Sequence, residues 1–141
     1  MANRYSTVDL DNDLDVRFGR AASNAPASYY VGLTLGAPSD DGLTYAETTG
    51  GGYGRAQVAN NATSFPPATP GSGAKRLAVA VNLPAATGVW SGYDTVVLFD
   101  AAAGGRARAW AAVAASPQLP VGAQVGVPAD TLVINAVPKV T

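Results

Sequence analysis

The chain has 141 residues, 48% of them apolar and only 13% charged, with a formal net charge of −1. That length allows one domain with an ordinary core, and the charge content is about half the roughly 25% usual in globular proteins. Neither Cys nor His occurs, which excludes disulfides, thiolate chemistry, most zinc sites, Ser-His catalysis and any imidazole acid–base step. No basic excess exists to hold nucleic acid, and no run approaches the ~18–20 apolar residues that span a bilayer. Met1 to Ser6 turn polar and then acidic without the apolar segment of a secretory signal, so synthesis in a cytoplasm without export by that route is expected.

Residues 1–50 hold seven acids and three arginines, whereas residues 51–141 hold three acids and six bases. Such a dipole along the chain is satisfied by pairing within the fold or by head-to-tail contact between subunits.

Residues 6–20 fit two patterns. Val8, Leu10, Leu14, Val16 and Phe18 fall on even positions like a strand, yet Leu10, Leu14 and Phe18 also stand at i, i+4 and i+8. Four Asp are poor strand residues. Ser6 or Thr7 can cap a helix, Asp9 and Asp11 suit its positive end, Arg17 and Arg20 its negative end, and Gly19 can stop it. The reading favours a short helix.

From residue 27 the period changes to two. Tyr29, Val31, Leu33 and Leu35 alternate with Tyr30, Gly32, Thr34 and Gly36 as a half-buried strand, ended by the turn residues APSDDG at 37–42. Residues 53–59 are expected to form a strand with Ala56 and Val58 inward. Residues 60–74, NNATSFPPATPGSGA, read as a loop. Leu77, Val79, Val81 and Leu83 alternate as the next strand. TVVLF at 95–99 is a continuous apolar run suited to a central strand covered on both faces. Residues 100–105 form a hairpin turn, RARAWAAVAA at 106–115 the returning strand, and Leu132, Ile134 and Ala136 the last one. Pro117, Pro120 and Gly122 punctuate the stretch between. The expectation is a mainly β fold, an antiparallel β-sandwich or jelly-roll-like barrel with a short N-terminal helix. Residues 1–24 would form an N-terminal arm and residues 25–141 the β-sandwich domain.

Candidate chemistry is sparse. Asp9, Asp11, Asp13 and Asp15 invite a calcium reading, but counting from Asp11 the required glycine is Val16 and the closing glutamate is Ala22. They read instead as a solvated helix face or an acidic interface patch. GGGYGR at 50–55 precedes a strand rather than following one, and GSGAK at 71–75 lacks the order of a phosphate loop, so both are turns. Asp94, Asp100 and Asp130 sit at strand ends beside turns, where Asp is a turn residue, and no enzyme, metal or cofactor is expected. Trp90 and Tyr93, placed in a loop, are candidate platforms for stacking on a sugar or partner, or a cover over the end of the sandwich. Arg106 and Arg108 alternate with Trp110 on one strand face, as an edge that deters aggregation or as an interface patch.

With these elements placed, the order of motifs resembles a family of small virion proteins of tailed phages and prophages, usually labelled tail fibre proteins. The matching pieces are LDNDLDVRFG at 10–19, PASYYVGLT at 26–34, APSDDG at 37–42 and ETTGGGYGR at 47–55. They continue with LPAATGVW at 83–90, VVLFDAAAGG at 96–105 and PVGA at 120–123. The acidic helix and the Pro-rich 60–74 segment depart from the family pattern. The resemblance implies a non-enzymatic structural subunit of the virion that binds phage capsid or tail proteins as a homo-oligomer, with a trimer favoured and neither nucleic acid nor membrane as partner. Because a small globule without a shaft-forming repeat fits a shell more easily than a fibre, a capsid decoration protein on the head ranks ahead of a tail fibre or tail-tip subunit with a carbohydrate-binding role. Asp9, Asp11, Asp13, Asp15, Arg106 and Arg108 are the candidate contacts.

Overall fold

The computed structural model describes residues 4–72 and 74–135. Ala136, expected in the last strand, and Gly73 of the GSGAK turn lie outside the described residues. In chain order the elements are β1 (Arg4–Tyr5), α1 (Thr7–Arg17), β2 (Ser28–Thr34), β3 (Ala56–Ala59) and β4 (Ala74–Arg76). They continue with β5 (Val81–Asn82), β6 (Trp90–Phe99), β7 (Ala107–Leu119), β8 (Gly126–Val127) and β9 (Val133–Asn135).

The apolar run at 95–99 lies at the centre of the fold. It ends β6, the middle strand of a five-stranded antiparallel sheet ordered β1-β7-β6-β2-β3. Because side chains alternate along a strand, Val96 and Leu98 enter the main core while Val97 and Phe99 enter a second cluster on the opposite face. The main core lies between the sheet and two short ladders, β4–β9 and β5–β8. There Val31, Leu33 and Val58 meet Leu77, Leu83, Val127 and Leu132. The second cluster, with Ala107 and Trp110, is covered by Tyr30 and Tyr45. The fold is therefore mainly β with antiparallel, sandwich-like packing and one short helix, and the described sheets do not close into a barrel.

Several expected strands are cut or extended. The alternation of Leu77, Val81 and Leu83 does bury all three, but the backbone changes partners within it. β4 ends at Arg76, Leu77 bonds with Leu132, and β5 then pairs with β8. The strand expected at 53–59 begins only at Ala56, because Tyr53 and Arg55 are held in a polar network described below. β2 stops at Thr34, and Gly36 turns the chain at φ +86°, which leaves Leu35 exposed. β7 runs on to Leu119 through Pro117, which packs against Gly92 of β6. A Cβ at Gly92 would stand 2.6 Å from the Pro117 carbonyl oxygen, so only glycine lets the strands approach there.

Candidate functional site

The helix buries one of its four aspartates and exposes Leu14 of its apolar stripe. Ser6 is the N-cap: its hydroxyl accepts from the Asp9 N–H at 3.3 Å and donates to Asp9 Oδ2 at 2.7 Å. The Ser6 N–H bonds Arg108 O at 2.8 Å and the Thr7 N–H bonds Asp40 O at 2.9 Å. These bonds press the first turn onto β7 and into the 36–42 turn. Asp9 is consequently the one buried residue of α1. Leu14 is 57% and Phe18 73% exposed.

A register shift aims the partner of Asp9. Leu98 opposes Ala109 and Phe99 opposes Ala107, so Arg108 has no opposite residue, as in a bulge. Its guanidinium donates to Asp9 Oδ1 through Nη1 and to Asp100 Oδ2 through Nε at 3.0 Å. Asp100 Oδ1 also accepts from the Arg106 N–H at 2.8 Å, which fixes the hairpin turn. Burial acts to lower the Arg108 pKa, and the two carboxylates outweigh it, so its guanidinium is held more firmly charged than usual. Residues 60–72 fold over the same end of the sheet. Asn61 Oδ1 accepts from the N–H groups of Thr63 and Ser64, and Phe65 packs edge-on against Tyr29 with centroids 5.8 Å apart. Lys75 Nζ donates to the carbonyls of Phe65 and Pro66 at 3.3 and 2.8 Å.

Between these parts lies a cleft of about 320 Å³. Its floor and walls are mainly apolar, from Tyr29, Phe65, Leu98, Ala109 and Ile134, and its rim carries Asp13, Asn60, Lys75 and Arg108. Burial, followed by the charges of Asp9, Asp13 and Asp100 against that of Arg108, raises the Tyr29 pKa above its usual value. The cleft is thus an apolar socket whose charged lining residues are Asp13, Lys75 and Arg108.

A family model described as Podophage GP4 fiber I protein gp80 matches residues 5–135 of the chain. The chain belongs to this fibre family. The match takes in the helix, the five-stranded sheet apart from Arg4, both ladders and every residue that lines the cleft. No curated protein matches the chain significantly. As a phage fibre protein it is a structural component of the virion and associates with other virion proteins.

The candidate contact residues of this fibre protein fall into three groups. Asp9 and Arg108, read as contacts, are paired with each other inside the fold, which satisfies part of the charge dipole along the chain. Asp11, Asp13 and Asp15 stay on the exposed part of α1, with Asp13 at the cleft. One turn in 3.6 residues spreads alternate Asp residues around the helix instead of gathering them for a cation. Arg106 is half-buried beside the hairpin turn and does not share an exposed stripe with Trp110, which is buried in the second cluster on a strand flanked by β1 and β6.

The stacking reading of Trp90 is corrected by its position. Trp90 starts β6 instead of lying in a loop and is 0% exposed. Its Nε1–H donates to Gly51 O at 2.7 Å and its ring meets Tyr53 edge-on at 5.1 Å, so neither face is open to a sugar. Tyr93 is half-buried against the main core.

Sequence reasoning passed over a network on the other face. Arg55 donates to both oxygens of Glu47 at 2.7 Å and to the carbonyls of Ala101 and Gly104 at 2.7 and 2.8 Å, with its guanidinium carbon 3.5 Å from the centre of the Phe99 ring. Tyr53 donates to Glu47 at 2.7 Å and accepts from the Leu33 N–H at 3.1 Å. Burial first, then the Glu47 hydrogen bond, push its phenol well above the usual range. A Cβ at Gly32 would stand 2.7 Å from the Phe99 ring and 2.9 Å from the Tyr53 hydroxyl, so the missing side chain makes room for the network. The signal was present in GGGYGR, whose Tyr and Arg follow the only Glu of the chain by six and eight residues.

Proposed function

We propose that this protein is a subunit of a phage tail fibre, made in the host cytoplasm, that acts by binding and not by catalysis, assembled from several copies of itself. The observation that carries the reading is the fibre-family match along residues 5–135. Size alone had ranked a head decoration role first, and the family description supports the fibre instead. The carboxylates at the turns and strand ends have structural engagements that support a binding role. Asp94 accepts from the Gly36 N–H at 2.6 Å, Asp100 holds the hairpin and Arg108, and Asp130 pairs with Arg76 at 2.9 Å.

Virions assembled without the protein test the reading. They are expected to keep full, heat-stable heads and to lose adsorption to the host. Heads that burst or leak DNA while adsorption stays normal would overturn the fibre role in favour of a shell-stabilising one.

A further inference from the structure

We infer that copies of this chain join through the outward face of α1, with the helices of neighbouring copies side by side and running in the same direction. The inference deepens the reading of a fibre subunit assembled from several copies and rests on that reading for its setting. At about 100° per residue, Leu14 stands about 140° and Phe18 about 180° around the helix from Asp9. Asp9 is the buried residue of α1, so these two apolar side chains point away from the body, 57% and 73% exposed. Leu10, half-buried, continues the same row at i, i+4 and i+8. The face is fixed by bonds: the Phe18 N–H bonds Leu14 O at 2.7 Å and the Ala21 N–H bonds Asp15 O at 3.0 Å. Asn12 ties down the following chain, donating to Ala22 O at 3.2 Å and accepting from the Asn24 N–H at 3.0 Å. A face ordered in advance loses little conformational entropy on binding.

The charges beside the apolar row select a second copy as its cover. Asp11 and Asp15, one turn apart, lie along one flank of Leu14; Arg17 lies along the other, with Arg20 just beyond the helix. All four are exposed, and their side chains have no hydrogen bond or ion pair among the described residues, whereas Asp13 is engaged within its own molecule. The helix thus carries two free acids against two free bases. A second α1 complements that balanced set, and a wholly acidic or wholly basic partner would leave half of it unanswered. Helices running in the same direction set the Asp11 and Asp15 flank of one against the Arg17 flank of the next. Opposite directions would set like flanks together, Asp11 and Asp15 against their own counterparts. The charges fix orientation more than strength, and the apolar row supplies the contact. Each copy offers one flank and receives the other, so the contact closes around an axis along the helices as a pair or a ring.

The chain has no cysteine, so the test uses single-cysteine variants of the full chain under mild oxidation, with light scattering for mass. Leu14→Cys and Phe18→Cys are each expected to link two chains, because equivalent residues face each other across the axis. Val121→Cys, similarly exposed at 62% but outside α1, is expected to stay unlinked. Asp15→Arg and Arg17→Asp should each weaken association by about tenfold or more, and the two changes in one chain should restore it, with unchanged circular dichroism throughout. A wild type that is monomeric throughout, a Phe18→Cys variant that links no faster than Val121→Cys, or a double variant no better than the single ones would overturn the inference. Linking of Leu10→Cys to Phe18→Cys in a mixture, with neither linking to itself, would also overturn it, since the helices would then run in opposite directions. A monomer found on phage tails would do so while leaving the fibre reading intact.

Discussion

Asp9 and Arg108 lie 99 residues apart in the chain and meet in an ion pair with little solvent. Removing one member of such a pair leaves a buried charge uncompensated. Asp9→Asn should therefore cost about 2 kcal/mol, because Asp100 still answers Arg108, and Arg108→Met about 3 kcal/mol, because two carboxylates then face each other. Urea unfolding of the two variants checks both values and their order. Tyr53 gives a pH signature. Its folded pKa lies above the unfolded value near 10, so above that pH the unfolded chain loses its proton first and stability falls as pH rises. Below pH 10 this contribution is fully present. Thermal melts from pH 9 upward should show a steeper decline for the wild type than for Tyr53→Phe, and parallel declines would refute the assignment.

At the scale of elements, α1 depends on its cap more than on its packing. Ser6→Ala removes both side-chain bonds to Asp9 and should cost about 1–2 kcal/mol, measurable in the same unfolding experiment. Changing Asp11 and Asp15 to Asn should leave stability nearly unchanged and weaken assembly, most clearly at low ionic strength where exposed charges act furthest. Assembly equal at low and high salt would contradict an electrostatic role for this face. Periodicity made the helix, β2, the 95–99 half of β6 and the hairpin at 100–105 legible, because each has a local signal: a cap, an alternation, an apolar run, a Gly-ended turn. The partner change within 77–83 and the passage of β7 through Pro117 were not legible, since both depend on which distant strand supplies the hydrogen bonds. Trp90 misled for a similar reason. Its neighbours Ser91 and Gly92 look like a loop, and only the approach of Gly51 and Tyr53 closes the ring in.

At the scale of the whole molecule, the sheet is covered on both faces, and the end that carries the hairpin turn gathers the helix, the 60–74 segment and the cleft. The two segments that depart from the family pattern thus share one site. Their separate peculiarities, acidic charge and proline content, were visible in the sequence; their meeting was not, because it rests on the Arg108 bulge and on the packing of Phe65 against Tyr29. This juxtaposition is the place we propose for contact with a neighbouring virion protein, and fibre-family membership supports the tail as the place of that contact. The most direct measurement of that claim is electron microscopy of purified virions labelled with a gold-tagged antibody to the chain. Gold confined to the tail is the predicted result; gold spread over the head, or particles without label, would contradict it.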